Sequence, residues 1–184
     1  MGQVARAGSV ASVLLVLGGC PSAEEPAVSS GGADALLPAQ TIAADSWGAA
    51  SVAEDPFVEY EPGRVRCSPF AYRLEASWLE VTTTSCNYAT LVYRFMRDVS
   101  PGDVISGELA WATLASIEPA VGTLAFATAG GVLWTHEVDI PGSADIVEVD
   151  FELTQAAAAG SALYFHVRNH GYNTWQLSPM SLDP

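Results

Sequence analysis

From about Pro56 onward the chain is made of short runs in which apolar residues recur at every second position, broken by turn residues, and no helical stripe of useful length appears. Val147, Val149, Phe151 and Leu153 alternate with Glu148, Asp150 and Glu152; Leu163, Phe165 and Val167 alternate with Tyr164, His166 and Arg168. A period of two sends successive side chains to opposite faces of a strand, so these runs predict half-buried strands. The same pattern marks Tyr72–Thr82, Ala89–Arg97, Val104–Leu114, Gly122–Thr128, Val132–Val138 and Thr174–Leu182. Turn residues fall between the runs at Pro101-Gly102-Asp103, Gly130-Gly131, Pro141-Gly142 and Asn169-His170-Gly171. Gly130-Gly131, flanked by apolar strands, predicts a tight hairpin. About eight or nine strands at this spacing predict an all-β chain folded as an antiparallel sandwich or barrel.

Three stretches narrow the choice. Val99–Val104 (VSPGDV) resembles the turn into a middle strand of galactose-binding-like jelly rolls. Ala159–Asn169 (AGSALYFHVRN) is similar to their penultimate strand, in which a glycine precedes an alternating strand that ends in asparagine. Asn173–Leu177 (NTWQL) resembles their closing strand, with Trp and Leu two apart. The resemblance spans Val99 to Leu182. It implies a jelly-roll β-sandwich of the kind found in non-catalytic carbohydrate-binding modules and related adhesion domains. Lineage-restricted lipoproteins of unknown function share this outline. Fold alone does not fix function.

The N-terminus is of another character. Met1–Ser9 carry one charge, Arg6, and Val10–Leu17 (VASVLLVL) form an apolar run that leads into Leu17-Gly18-Gly19-Cys20. That run is too short to span a bilayer and reads as a signal peptide. The LGGC ending resembles the lipobox of bacterial lipoproteins. It implies cleavage after residue 19 and acyl chains such as palmitate on Cys20, the first residue of the mature protein. Several acyl chains on one residue anchor stably to a membrane. Pro21 stands where some Gram-negative lipoproteins carry the Asp that retains them at the inner membrane, so the expected address is the outer membrane or cell surface. Residues 21–53 are rich in Ala, Ser, Gly and Pro without a sustained period, and predict a disordered tether. The expected organisation is a signal peptide over 1–19, a lipid-anchored flexible linker over 20–53 and a β-sandwich domain over 54–184.

Export also bears on the remaining cysteines. With Cys20 lipidated, Cys67 and Cys86 are the pair left in an oxidising compartment, so a disulfide is expected between them. Closing a loop of about 20 residues stabilises by roughly 3 kcal/mol in the chain-entropy model. Two cysteines are too few for a four-ligand structural zinc site.

Charge excludes one class of partner. The chain has 21 acidic residues against seven basic ones, all arginine, for a net charge of −14, and loss of Arg6 with the signal peptide makes it −15. Such a surface repels phosphate backbones, so no nucleic-acid partner is expected. The bland consequence of surplus acid is solubility.

The densest polar cluster is Asn169-His170-Gly171-Tyr172-Asn173, with His166 before it and Trp175 after it. Amides, imidazoles and aromatic rings supply what a sugar needs, namely directional hydrogen bonds and a flat apolar surface. Asn169, His170, Asn173, His166 and Trp175 are therefore candidate ligand-binding residues. Tyr88, next to Cys86-Asn87, is a further candidate for a loop-end pocket. The competing structural reading has both asparagines capping the turn and Trp175 packed in the core.

Other chemistry finds little support. His166 and His170 straddle a strand end, and the His-x-His of a cupin metal site occurs nowhere. No cofactor is expected; a structural calcium ion would need Asp and carbonyl ligands scattered over loops, because no compact D-x-D-x-D run exists. Glu108 and Glu148 could supply the two carboxylates of a glycan-active hydrolase, yet nothing in the sequence brings them together. No G-x-S-x-G, H-E-x-x-H or P-loop pattern is present. The expected function is a binding module at the cell envelope, for a polysaccharide or other glycan. A structural or protein-interaction lipoprotein with an envelope-protein partner is the alternative.

Overall fold

The period-two runs fold as strands. The computed structural model describes residues 38–60, 63–169 and 171–184, all within the compact unit Leu36–Pro184. The expected signal peptide, Cys20 and most of the expected linker lie outside these residues, as does His170. In chain order the strands are β1 (Gln40–Ile42), β2 (Gly48–Ala49), β3 (Tyr72–Glu75), β4 (Trp78–Thr82), β5 (Tyr88–Arg94), β6 (Val104–Trp111), β7 (Ala120–Thr128), β8 (Gly131–Ile140), β9 (Asp145–Glu152), β10 (Ala162–Arg168), β11 (Thr174–Leu177) and β12 (Met180–Asp183). No α-helix occurs among the described residues.

Eight of these strands build the sandwich as four antiparallel pairs: β4 with β11, β5 with β10, β6 with β9, and β7 with β8. The pairs roll up so that β4-β11-β6-β9 lie side by side in one sheet and β5-β10-β7-β8 in the other. That order is a jelly roll, and it agrees with the fold expected from the sequence. The remaining strands extend the edges, with β3 on β4, β12 on β6, β1 on β12 and β2 on β5.

The inward faces bury Leu91, Leu109, Phe126, Phe165, Trp175 and their neighbours in one continuous core. Burying such side chains is the main driving force for the fold, at about 1.5–3 kcal/mol each. Outward positions differ between the sheets. On β6 and β9 they carry exposed acids, among them Glu108, Glu148, Asp150 and Glu152. In the middle of the five-stranded sheet they include Ala125, Ala127, Tyr164 and His166, and segment 50–58 lies across them as a strap. Ala50, Phe57, Ala125, Ala127 and Tyr164 form a second apolar cluster beneath it.

β1 and β2 lie ahead of residue 54, one in each sheet, with Ile42, Ala44, Trp47 and Ala50 buried. Elements of two or three residues are too short to leave a period in the sequence. The run Tyr72–Thr82 is two strands, folded back at Ala76, which takes a φ of 54°. The run Thr174–Leu182 is likewise divided at Ser178-Pro179, where proline removes a ladder donor.

Candidate functional site

Register gathers four loops at one end of the sandwich. Arg168 pairs with Tyr88, Thr174 with Thr82 and Trp175 with Trp111. The segments 83–87, 112–119 and 169–173 therefore meet there, joined by 63–71, which leads into β3 opposite the end of β4. Loops at the end of a rigid sandwich are where binding residues are expected.

Hydrogen bonds fix these loops to one another. Asn169 N–H donates to Asn87 O (2.8 Å), and its side-chain Nδ2 donates to Gly171 O (2.6 Å). Asn173 Nδ2 donates to Asn169 Oδ1 (2.7 Å), while Asn173 Oδ1 accepts from Ala115 N (2.8 Å). The carbonyl of Asn173 accepts from both the backbone and the hydroxyl of Thr83, each at 2.9 Å. Gly171 has a φ of 118°, and a Cβ there would collide with the Ala115 carbonyl oxygen. On the other side Val65 N–H donates to Asn87 Oδ1 (2.8 Å), and the Cys67–Cys86 disulfide joins segment 63–71 to segment 83–87, as expected from the sequence. Tyr72 donates its hydroxyl to Cys67 O (3.2 Å), and burial holds that phenol above its ordinary 10.0, so it remains a donor at neutral pH.

The outcome for the sequence candidates is mixed. Asn169 and Asn173 are buried with both amides engaged, so they brace the turn and have no surface to offer a ligand. Trp175 is 0% exposed, its ring 5.8 Å from that of Trp111 and lodged over Gly122, where a Cβ would press on the indole. It is a core residue. Tyr88 is buried, and so is His166, whose Nδ1 lies 2.9 Å from Thr90 Oγ1. Phe57 of the strap stacks on the His166 ring at 4.3 Å. The strap, which the sequence placed in or near the linker, is what removes His166 from the surface.

What the braced turn does present is Tyr172, 72% exposed. Its side chain and that of Val65 flank a cleft of about 360 Å³ whose other lining residues are Thr83, Thr84, Ser85, Cys86, Asn87 and Gly171. Among the described residues no charged side chain lines it, although the chain carries 21 acids. Thr84 and Ser85 are exposed, and among the described residues their hydroxyls have no hydrogen-bond partner. A phenol ring beside a row of hydroxyls offers one flat apolar face and several directional donors and acceptors. Sequence reasoning weighed the asparagines and passed over Tyr172. The available signal was the Asn-x-x-x-Asn bracket around a glycine: side chains that tie the turn together leave the residue at its tip to point outward.

A second cleft, about 310 Å³, lies on the five-stranded sheet between Phe57, Thr123, Ala125, Val132, Thr135, His166 and Arg168. Glu108 and Glu148 sit opposite one another on β6 and β9. Both are exposed and neither lines one of these clefts, so the pairing builds no enclosed site.

No protein-family model matches the chain, and no curated protein matches it. Solved structures do. A carbohydrate-binding module studied for specific mannan recognition gives a TM-score of 0.47 at 8% identity, covering 79% of this chain and 98% of that one. A mutant carbohydrate-binding module of family 29 gives 0.45 at 6% identity, over 79% of this chain and 92% of that one. An arabinose-bound α-L-arabinofuranosidase gives 0.43 at 17% identity over 76% of this chain, which spans only 23% of the enzyme's length. None of these likenesses bears on what this chain binds.

Proposed function

We propose that this protein is a non-catalytic binding module for an uncharged glycan, displayed at a bacterial cell envelope through a lipid on Cys20. The observation that carries the reading is Tyr172, held in solvent by a hydrogen-bonded turn beside a cleft lined by hydroxyls and, among the described residues, by no charged side chain. A sugar's apolar face packs on an aromatic ring, while its hydroxyls exchange hydrogen bonds with groups such as those of Thr84 and Ser85. Because the turn is already braced, little conformational entropy is lost on binding. The full chain applied to an array of neutral and acidic glycans should bind neutral structures. Retention of acidic glycans alone would contradict the reading.

The envelope address rests on the Leu17-Gly18-Gly19-Cys20 sequence. A clickable fatty acid fed to the producing bacterium should label the wild type and leave Cys20→Ala unlabelled. Equal labelling of both would refute the anchor.

A protein partner at the same pole is the second reading, favoured by Phe70 and Ile117, which are 99% and 100% exposed on loops of that end. Large exposed apolar side chains are a feature of protein interaction surfaces.

A further inference from the structure

We infer, resting on the glycan reading above, that the site takes only about one or two sugar rings at the pole, and that the sheet face a longer chain would follow is closed by the protein's own strap. The cleft beside Tyr172, about 360 Å³, falls at the lower end of the range for small-molecule pockets, about 300–1,000 Å³. Five of its lining residues belong to the single loop 83–87, and Val65, Gly171 and Tyr172 complete it. A polymer gains affinity with length only if successive units find further surface. Of the two sheet faces that adjoin the pole, that of β6 and β9 carries exposed acids, which leaves the outer face of the five-stranded sheet.

That face is occupied. Ala50 N–H donates to Thr90 O (3.0 Å), and Arg66 donates to Ala50 O. Arg94 pairs with Glu54, and Arg66 with the buried carboxylate of Asp55 (3.6 Å). Phe57 N–H donates to Asp55 Oδ1 (2.9 Å), which sets the ring in its stack on His166. Beneath lie Ala125, Ala127 and Tyr164, all buried. The strap is thus held by main-chain, ionic and apolar contacts, and it covers the middle of the sheet. What stays open is the shallow cleft beside Phe57, next to the edge strand β8.

The test titrates the full chain with gluco-, manno- and galacto-oligosaccharides of one to six units. Affinity for the ladder that binds should rise from one unit to two, then stay within about threefold up to six units. Thr135→Trp, an exposed substitution that fills the remaining sheet-face cleft, should leave every affinity unchanged. A gain of more than about threefold between two and six units would overturn the inference, as would weaker binding by Thr135→Trp. Failure of every ladder to bind would instead strike at the neutral-glycan reading itself, and the inference would fall with it.

Discussion

The side-chain amide of Asn173 links two loops, donating to Asn169 Oδ1 at 2.7 Å and accepting from Ala115 N at 2.8 Å. Both residues are buried, with Asn173 4% exposed. Removing that side chain would leave the Ala115 N–H and the buried Asn169 Oδ1 without their partner. Unpaired buried groups cost about 1–3 kcal/mol. Asn173→Ala should therefore lower the melting temperature by several degrees, measured beside wild type without any ligand. An unchanged melt would mean that water replaces the amide and that the turn is not braced as described.

The disulfide gives a second expectation. Thiol titration of the denatured, unreduced mature domain should find Cys67 and Cys86 both blocked. Reduction, or Cys67→Ser with Cys86→Ser, should destabilise the domain by roughly 3 kcal/mol for a loop closed over 19 positions. Segments 63–71 and 83–87 should loosen first, seen as faster amide exchange there, while exchange in β6 and β7 changes less.

Glu108 and Glu148 face each other across an antiparallel ladder. Like charges directly opposed on a sheet are unfavourable, and an opposed pair of opposite charges contributes about 0.2–1 kcal/mol. Glu148→Lys should stabilise the fold in denaturant titrations at low salt. The gain should shrink at high salt, where exposed charges are screened. A loss of stability at low salt would show that the acidic face is not self-repelling.

The strap should respond to acid. Glu54 is held below the ordinary value of 4.5, first by a hydrogen bond from the Ser51 backbone and then by Arg94. A carboxylate with a depressed folded-state pKa stabilises at pH above its unfolded value, and that contribution is lost as pH falls through the folded value. Wild type should thus be more stable than Glu54→Gln at pH 6, and the two should converge as the pH falls well below 4.5. A difference that persisted in strong acid would assign the strap's attachment to other contacts.

How far the sequence went can be judged from particular residues. Period-two runs located the long strands because a sheet buried on one face forces alternation, as Val149 and Phe151 show against Asp150 and Glu152. β1 and β2 left no trace, since three residues or fewer cannot display a period. The turn before β11 was legible in the sequence, with ligand contact and turn capping both open for Asn169 and Asn173; in the structure both side chains are buried. Residue type alone does not separate the amides from the phenol as sugar ligands, and it is the hydrogen bonds of the folded turn that show both amides engaged while Tyr172 stays exposed. His166 is buried for a different reason. Alternation put it on the outer face correctly, and what buries it is Phe57, 109 positions earlier in the chain. No local pattern reports a contact of that span.

The central claim is that Tyr172 contacts ligand, and one comparison tests it. Wild type, Tyr172→Ala and Tyr172→Trp are titrated with the neutral oligosaccharide that the array selects, each beside a thermal melt. Tyr172 is exposed, so neither substitution should shift stability by more than about 0.5 kcal/mol. The alanine variant should lose affinity by about tenfold or more, the loss expected when a stacking ring is removed, and tryptophan should restore most of it. If the alanine variant binds as tightly as wild type while melting normally, the cleft beside Tyr172 is not the site.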